Sequence, residues 1–402
     1  MSDGVPDQRT WWRTILAGAD SDTDSASDHR ETYLLFPSAA DPRQVIDASS
    51  NRLLAAEISR VPAGSSRAAV AARKVLSVGA GLGLAQVFRP QRLVIEGTGA
   101  PTLATRLAEL LGHDEVRLSL AAGPIRPNRK PVARILGNDG ELLGVAKIGW
   151  DSSTRALIEQ ESAALADAAN LPTPFITPTA RGVIDVGNLR VLVLDPLDIP
   201  DDRIDPLTVD PEVAVLATLA GTDGSVVGLA EAPFVRSLTD RLISHAGGAE
   251  LRVLVDRLIA VSGHDPVRVG RSHGDWAPWN LRRVPAGLLV WDWERFASGT
   301  PVGFDLAHHR YSVHRPGSDS VATAAARAEC DLRDLVPQLD LCAADAAWLV
   351  VFQLMELATR HLESGFADDL GEETSGLLNE IERRMTKLNR TDLRKSPKGI
   401  GC

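Results

Sequence analysis

The spacing of apolar residues in this chain changes period once, and that change limits what the chain can fold into. Five strand-length apolar runs fall between residues 116 and 194, at 116–120, 131–136, 142–148, 183–186 and 189–194. Short runs of this kind read as strands. Gly137-Asn138-Asp139-Gly140 joins the second and third, because Asn, Asp and Gly accept the positive φ of a tight hairpin turn. From Pro211 the apolar positions recur at steps of three and four, which predicts helices at 211–220, 233–246, 250–261, 322–335, 343–362 and 374–388. Strands gathered ahead of helices predict an α+β chain. Its sheet lobe would span residues 100–197, with five antiparallel strands, and its mainly helical lobe residues 198–388.

The residues ahead of this frame carry weaker signals. Residues 1–30 read as a polar, disordered N-terminus, apart from Trp11-Trp12-Arg13-Thr14-Ile15-Leu16, an apolar handle able to pack on the body. Residues 31–99 hold a strand at 33–37 and helices near 49–58 and 65–78, and read as an N-terminal cap extension. Gly79-Ala80-Gly81-Leu82-Gly83 imitates a dinucleotide fingerprint, but that motif needs a strand before it. What precedes it is helical, so a helix end and turn is the better account. Residues 389–402 are polar and read as a mobile tail.

Composition removes several classes of function. A net charge of −10 with dispersed acidic residues disfavours a nucleic-acid surface. The longest apolar run, Ala347-Trp348-Leu349-Val350-Val351-Phe352, is too short to span a bilayer, so no membrane partner is expected. Three cysteines without metal-ligand spacing, and a start lacking a basic and an apolar segment, predict a cytoplasmic protein.

The chemistry concentrates in Arg271-Ser272-His273-Gly274-Asp275-Trp276-Ala277-Pro278-Trp279-Asn280, followed by the apolar run 288–291 and then Asp292. Phosphoryl transfer from ATP needs a carboxylate to orient the attacking hydroxyl and oxygen ligands to hold Mg²⁺ on the phosphates. Asp275 suits the first role, and Asn280 and Asp292 the second. Each residue alone also fits a capped turn. Upstream, Lys147 lies inside the third strand, where a cation needs a partner. The helix at 152–169 offers Glu159 and Glu161, and Glu161 shares its side with Leu157, Leu165 and Ala168. The loop Ala121-Ala122-Gly123-Pro124-Ile125-Arg126-Pro127-Asn128-Arg129-Lys130 suits a triphosphate or, equally, a solvated basic hairpin tip. Asp195-Pro196-Leu197 reads as a rigid crossing between lobes whose backbone groups could bind an adenine edge. His308 and His309 are adjacent on a helix and point apart, so a shared metal is not expected.

Taken together, His273-Gly274-Asp275-x4-Asn280, Asp292-Trp293-Glu294 and Gly299-Thr300-Pro301-Val302-Gly303-Phe304-Asp305-Leu306-Ala307 resemble the aminoglycoside phosphotransferase family, small-molecule relatives of the protein kinases. The resemblance covers residues 100–388 and implies a protein-kinase-like two-lobe fold using ATP and Mg²⁺ on a small-molecule hydroxyl acceptor. It implies Asp275 as the catalytic aspartate, Asn280 and Asp292 as metal ligands, and Lys147 on the phosphates, steadied by Glu161. It implies architectural roles for His273, Glu294 and Asp305. Gly123, Arg126, Asn128, Asp195 and Leu197 would complete the nucleotide site. One glycine and three prolines in the phosphate loop depart from the family pattern. Either side chains such as Arg126, Asn128 or Arg129 take over, or nucleotide binding is weak. Two other functions stay open: a kinase-like regulatory module without turnover, and transfer of a nucleotidyl group.

Overall fold

A computed structural model describes residues 7–18, 30–38, 42–60, 67–84, 92–96, 101–123, 129–171, 174–197, 210–221, 225–363 and 371–391. The chain forms two compact units, Met1–Ser162 with Pro178–Asp198, and Ala163–Thr177 with Ile199–Cys402.

The first unit begins with α1 (Gln8–Ala17), β1 (Arg30–Pro37), β2 (Pro42–Asp47), α2 (Asn51–Ser59), α3 (Arg67–Gly81), β3 (Arg92–Glu96) and α4 (Leu103–Leu111). It continues with β4 (Arg117–Ala121), β5 (Val132–Leu136), β6 (Leu142–Gly149) and α5 (Ser152–Ala168). A short strand of the second unit, β7 (Phe175–Ile176), precedes β8 (Ala180–Val186) and β9 (Leu189–Leu194). The expected five strands are present as the contiguous order β4-β5-β6-β9-β8, but the sheet has eight, running β3-β1-β2-β4-β5-β6-β9-β8. The count rises because residues 30–96 supply three antiparallel strands, with β2 pairing onto β4 and covering an edge that would otherwise expose unpaired backbone.

Alternation along β1 serves both faces of this sheet. Tyr33 and Leu35 enter a core with Trp11, Trp12, Leu107 and Val191, while Leu34 enters a second with Ile46, Leu53 and Ile58. Residues 1–30 are therefore not uniformly solvated: α1 buries Trp11 and Trp12, and Trp12 Nε1 donates to the Pro42 carbonyl at 3.1 Å. The glycine-rich stretch ends α3 at Gly81 and places Gly83 at φ +79°. α4 starts where the Thr102 hydroxyl accepts the Thr105 N–H and stops at Gly112, φ +70°, as the local sequence requires.

The second unit contains α6 (Val213–Ala220), β10 (Val226–Gly228), α7 (Pro233–Ile243), α8 (Ala249–Ser262), β11 (Pro266–Ser272), β12 (Leu281–Val284), β13 (Gly287–Val290) and β14 (Ala297–Pro301). Helices α9 (Phe304–His314), α10 (Val321–Leu335), α11 (Asp345–Glu363) and α12 (Gly371–Thr391) complete it. Two small sheets, β10-β11-β14 and β12-β13-β7, bracket the motif residues. Fully buried Trp276 and Trp293 anchor that region, each with its indole N–H satisfied, on Pro211 O at 3.0 Å and Val290 O at 3.1 Å. α12 runs past the expected helix end at 388. Among the described residues no helix is long and apolar enough to cross a membrane.

Candidate active site

β11 ends at Ser272 and delivers His273 into a buried slot between the rings of Trp276 and Trp293, with centroids 5.7 and 4.7 Å away. The Asp275 N–H points at His273 Nδ1 over 3.3 Å, and Nε2 lies 3.1 Å from the Trp291 carbonyl. An accepting Nδ1 places the proton on Nε2, which describes a neutral imidazole. Burial agrees, pulling the pKa of His273 down to about 4. Asp305, in the first turn of α9, accepts the N–H groups of His273 at 2.7 Å and Gly274 at 2.8 Å. Burial pushes its pKa up to about 6 against those two bonds. Gly274 sits at φ +78°, and a Cβ there would meet the Arg295 carbonyl oxygen at 2.2 Å. Only glycine fits this turn without displacing backbone.

The turn presents the Asp275 carboxylate to three partners. Asn280 Nδ2 donates to Oδ2 at 2.9 Å and to the Asp275 carbonyl at 3.0 Å. On Oδ1, His308 Nε2 lies at 2.9 Å and Arg360 Nη1 at 3.5 Å. His308 Nε2 makes no hydrogen bond there, and the approach counts as a close polar contact. Burial alone would raise the Asp275 pKa; the His308 contact and the Arg360 charge outweigh it and hold the carboxyl well below the usual range.

Arg360 is itself held in place. It donates through Nη2 to the Gly274 carbonyl at 2.6 Å and through Nε to Glu356 at 2.8 Å. Glu356 also receives Arg241 at 2.8 Å, and Arg241 forks onto Glu363 at 2.6 and 2.9 Å. Burial disfavours the Glu356 charge, yet Arg360 and Arg241 together bring its pKa down to about 2. Sequence reasoning missed Arg360 and, beyond setting aside a metal shared with His309, gave His308 no role. The available signal was Glu356 and Arg360, four residues apart, following the apolar run Ala346–Phe352 of α11.

The remaining expected residues fall as follows. Asp292 follows β13 in the left-handed region, φ +69°, and begins the turn Trp293–Arg295, where Glu294 lies 3.9 Å from Arg295. In the first unit, Lys147 Nζ meets Glu161 Oε1 at 2.5 Å, with Glu161 fully buried, while Glu159 pairs with Arg190. Asp195 pairs with Arg181, and its backbone N–H is engaged by the Thr179 carbonyl at 2.9 Å, which removes that donor from an adenine edge. Leu197 is half-buried and Gly123 exposed, whereas Arg126 and Asn128 lie outside the described residues. Arg129 is not a loop-tip cation: it is buried, lies 4.4 Å over the Trp11 ring, and donates to Gln8 at 2.7 Å. The Trp11 handle has drawn it into the fold.

Asp275, His308 and Arg360 line a cavity of about 380 Å³ in the second unit, with Trp279, Arg315 and Glu373 around it. An ionised, pre-oriented carboxylate on the wall of a cavity this size can position a hydroxyl of a small molecule.

No protein-family model and no curated protein sequence matches the chain. Among solved structures it is similar to the apo form of a thermostable mutant of aminoglycoside phosphotransferase APH(4)-Ia, at 14% identity over 72% of this chain and 100% of that one, TM-score 0.49. It is similar to a putative fructosamine-3-kinase from Haemophilus somnus 129PT, at 13% identity over 69% and 96% of the two chains, TM-score 0.42. A choline kinase LicA from Streptococcus pneumoniae is also similar, at 15% identity over 67% and 89%, TM-score 0.40.

Proposed function

We propose that this protein is a small-molecule kinase, moving the γ-phosphate of ATP to an alcohol. The observation that carries the reading is the Asp275 carboxylate. It is gripped on one oxygen by Asn280 and on the other by His308 and Arg360, and it faces a ligand-sized cavity.

In this reading the acceptor hydroxyl donates to Asp275, which aims its oxygen at phosphorus. Asp275 need not be a strong base, because in a loose transition state the hydroxyl proton leaves late and positioning dominates. Lys147, steadied by Glu161, is the fixed cation we assign to the phosphates. The residues fit a hard divalent cation. Asn280 commits its amide N–H₂ group to Asp275, which leaves Oδ1 as the atom for a metal, and Asp292 adds a carboxylate. When bound, Mg²⁺ supplies neutralisation of phosphate charge. His273, Asp305 and Gly274 keep the loop in the one conformation that aims Asp275.

The test is ATP consumption with a panel of hydroxyl acceptors, followed by mass spectrometry of the product. Gain of one phosphate group supports the reading, and gain of AMP replaces it with nucleotidyl transfer. Asp275→Asn is expected to keep nucleotide affinity while turnover nearly vanishes. Wild-type turnover in that variant, with every accepted substrate, sinks the assignment.

A further inference from the structure

The cavity beside Asp275 also carries information about its acceptor. Its described lining contains two carboxylates, Asp275 and Glu373, and two guanidinium groups, Arg360 and Arg315. Each carboxylate is matched. Arg360 reaches Asp275, and Arg315 forks onto both oxygens of Glu373, with Nε to Oε1 at 2.8 Å. Arg315 Nη1 donates to the Ser318 carbonyl at 3.2 Å, so its fork is held from both sides. His361, also in the lining, has its pKa lowered by burial and so adds no fixed cation at neutral pH. The formal charge of these four groups sums to zero, so each described carboxylate of the lining already has a guanidinium beside it.

Apolar groups make up much of the remaining described lining, beside the polar His308 and Ser312. Leu357 and Leu377 contribute aliphatic surface and Tyr311 a ring, and Trp279, 49% exposed, stands on the turn between Asp275 and Asn280. A half-exposed indole at a cavity wall offers a flat face for a ring to lie on. Among the described lining residues, an amino sugar bearing several ammonium groups would meet no carboxylate without a guanidinium already beside it, so desolvating each ammonium there is costly. It would also approach two guanidinium groups of like charge.

Resting on the kinase reading above, we propose that the acceptor is an uncharged alcohol with one apolar ring face, laid on Trp279 with its hydroxyl toward Asp275. Charge-matched walls and an aromatic platform select shape and apolar surface instead of positive charge. Trp279 is thereby a specificity-determining residue and the Arg315–Glu373 pair a positioning one.

The experiment uses the full chain with Mg-ATP and three matched probe sets. These are uncharged cyclohexyl and benzyl diols, the same skeletons carrying one or several amino groups, and the same skeletons carrying a carboxylate. ADP formation gives kcat and KM, and calorimetry gives binding separately. The uncharged set is expected to have the highest kcat/KM. Trp279→Ala is expected to raise KM about tenfold, the factor set by the loss of one aromatic contact, with kcat within about twofold. Glu373→Gln, which frees a guanidinium, is expected to shift preference toward the carboxylated set. Turnover confined to the aminated set overturns the proposal and leaves the kinase reading intact. Trp279-dependent binding of the uncharged set without any turnover does the reverse. Binding of none of that set, or a KM indifferent to Trp279→Ala, also overturns it.

Discussion

Gly274→Ala tests whether the turn that aims Asp275 is as tightly determined as its contacts indicate. Two costs add. An alanine at φ +78° carries the left-handed penalty of an L-residue, about 1–2 kcal/mol. Its Cβ would also lie 2.2 Å from the Arg295 carbonyl oxygen. An ordinary carbon–oxygen contact is about 3.3 Å or more, so roughly 1 Å of backbone movement is required. The loop cannot take up that ångström freely. Its N–H groups are fixed on Asp305 at 2.7 and 2.8 Å, and its carbonyl on Arg360 at 2.6 Å. Breaking one such bond to a charged group costs about 1.5–3 kcal/mol. The sum is about 2.5–5 kcal/mol, at the upper end of what single substitutions cost. Urea unfolding of wild type and variant measures it through a lowered midpoint with an unchanged slope. Turnover per folded molecule, measured well below that midpoint, should fall by at least about a hundredfold, since a misplacement of an ångström is enough to do so. A loss of stability below about 1 kcal/mol, with turnover within threefold of wild type, would show that the turn tolerates what the geometry forbids.

Other expectations concern the charges around the same turn. Arg360→Met leaves Glu356 with Arg241 but removes one partner of Asp275, so kcat should drop about ten- to hundredfold with KM little changed. Arg360→Lys should rescue only part of that loss, because an ammonium cannot reach Glu356, Gly274 and Asp275 as a planar fork. Asp292→Ala should weaken Mg-ATP binding itself, seen as a loss of calorimetric nucleotide affinity in magnesium but not in its absence. The rate should rise with pH through about 6, the value to which Asp305 is pushed, and Asp305→Asn should flatten that limb at a low level.

The sequence made the helical half legible to within a few residues at most helix ends, because helices report their own period. It also made legible the five strands of the original sheet, which are bounded by turn residues. Strands β2 and β3 were hidden because Pro42–Asp47 and Arg92–Glu96 are short, and because β3 finds β1, and β2 finds β4, far along the chain. Periodicity says which face of a strand is buried and nothing about which strand lies beside it. Much the same holds at the candidate site. His273, Asp275, Asn280 and Asp292 sit within twenty residues, and their spacing carries the chemistry on its face. Arg360 touches Asp275 across 85 positions, and only folding brings the two together. Arg129 shows the opposite error: a cation in a basic stretch reads as a loop tip until two tryptophans from α1 claim it.

Asp275 in the turn and Asp305 beneath it divide their labour through opposite electrostatic environments. Asp275 is partly exposed, 24% for its side chain, and its partners hold it ionised far below neutrality. That makes it a poor proton acceptor and a dependable hydrogen-bond acceptor, which suits a reaction governed by position. Asp305 is buried and is charged near neutrality only because two backbone N–H groups oppose its desolvation. The sign of its linkage follows. With a folded pKa above the ordinary carboxylate value, it binds its proton more tightly folded than unfolded. Its contribution to stability is therefore present below that ordinary value and lost as pH rises through about 6. Activity runs the other way, since the charged form accepts both N–H groups while the protonated form turns an O–H toward one of them. The acid limb is thus expected to belong to the buried residue that holds the loop, with Asp275, the residue proposed to meet substrate, staying out of the titration. A protein more stable but slower just below pH 6 than just above it is what this division of roles requires.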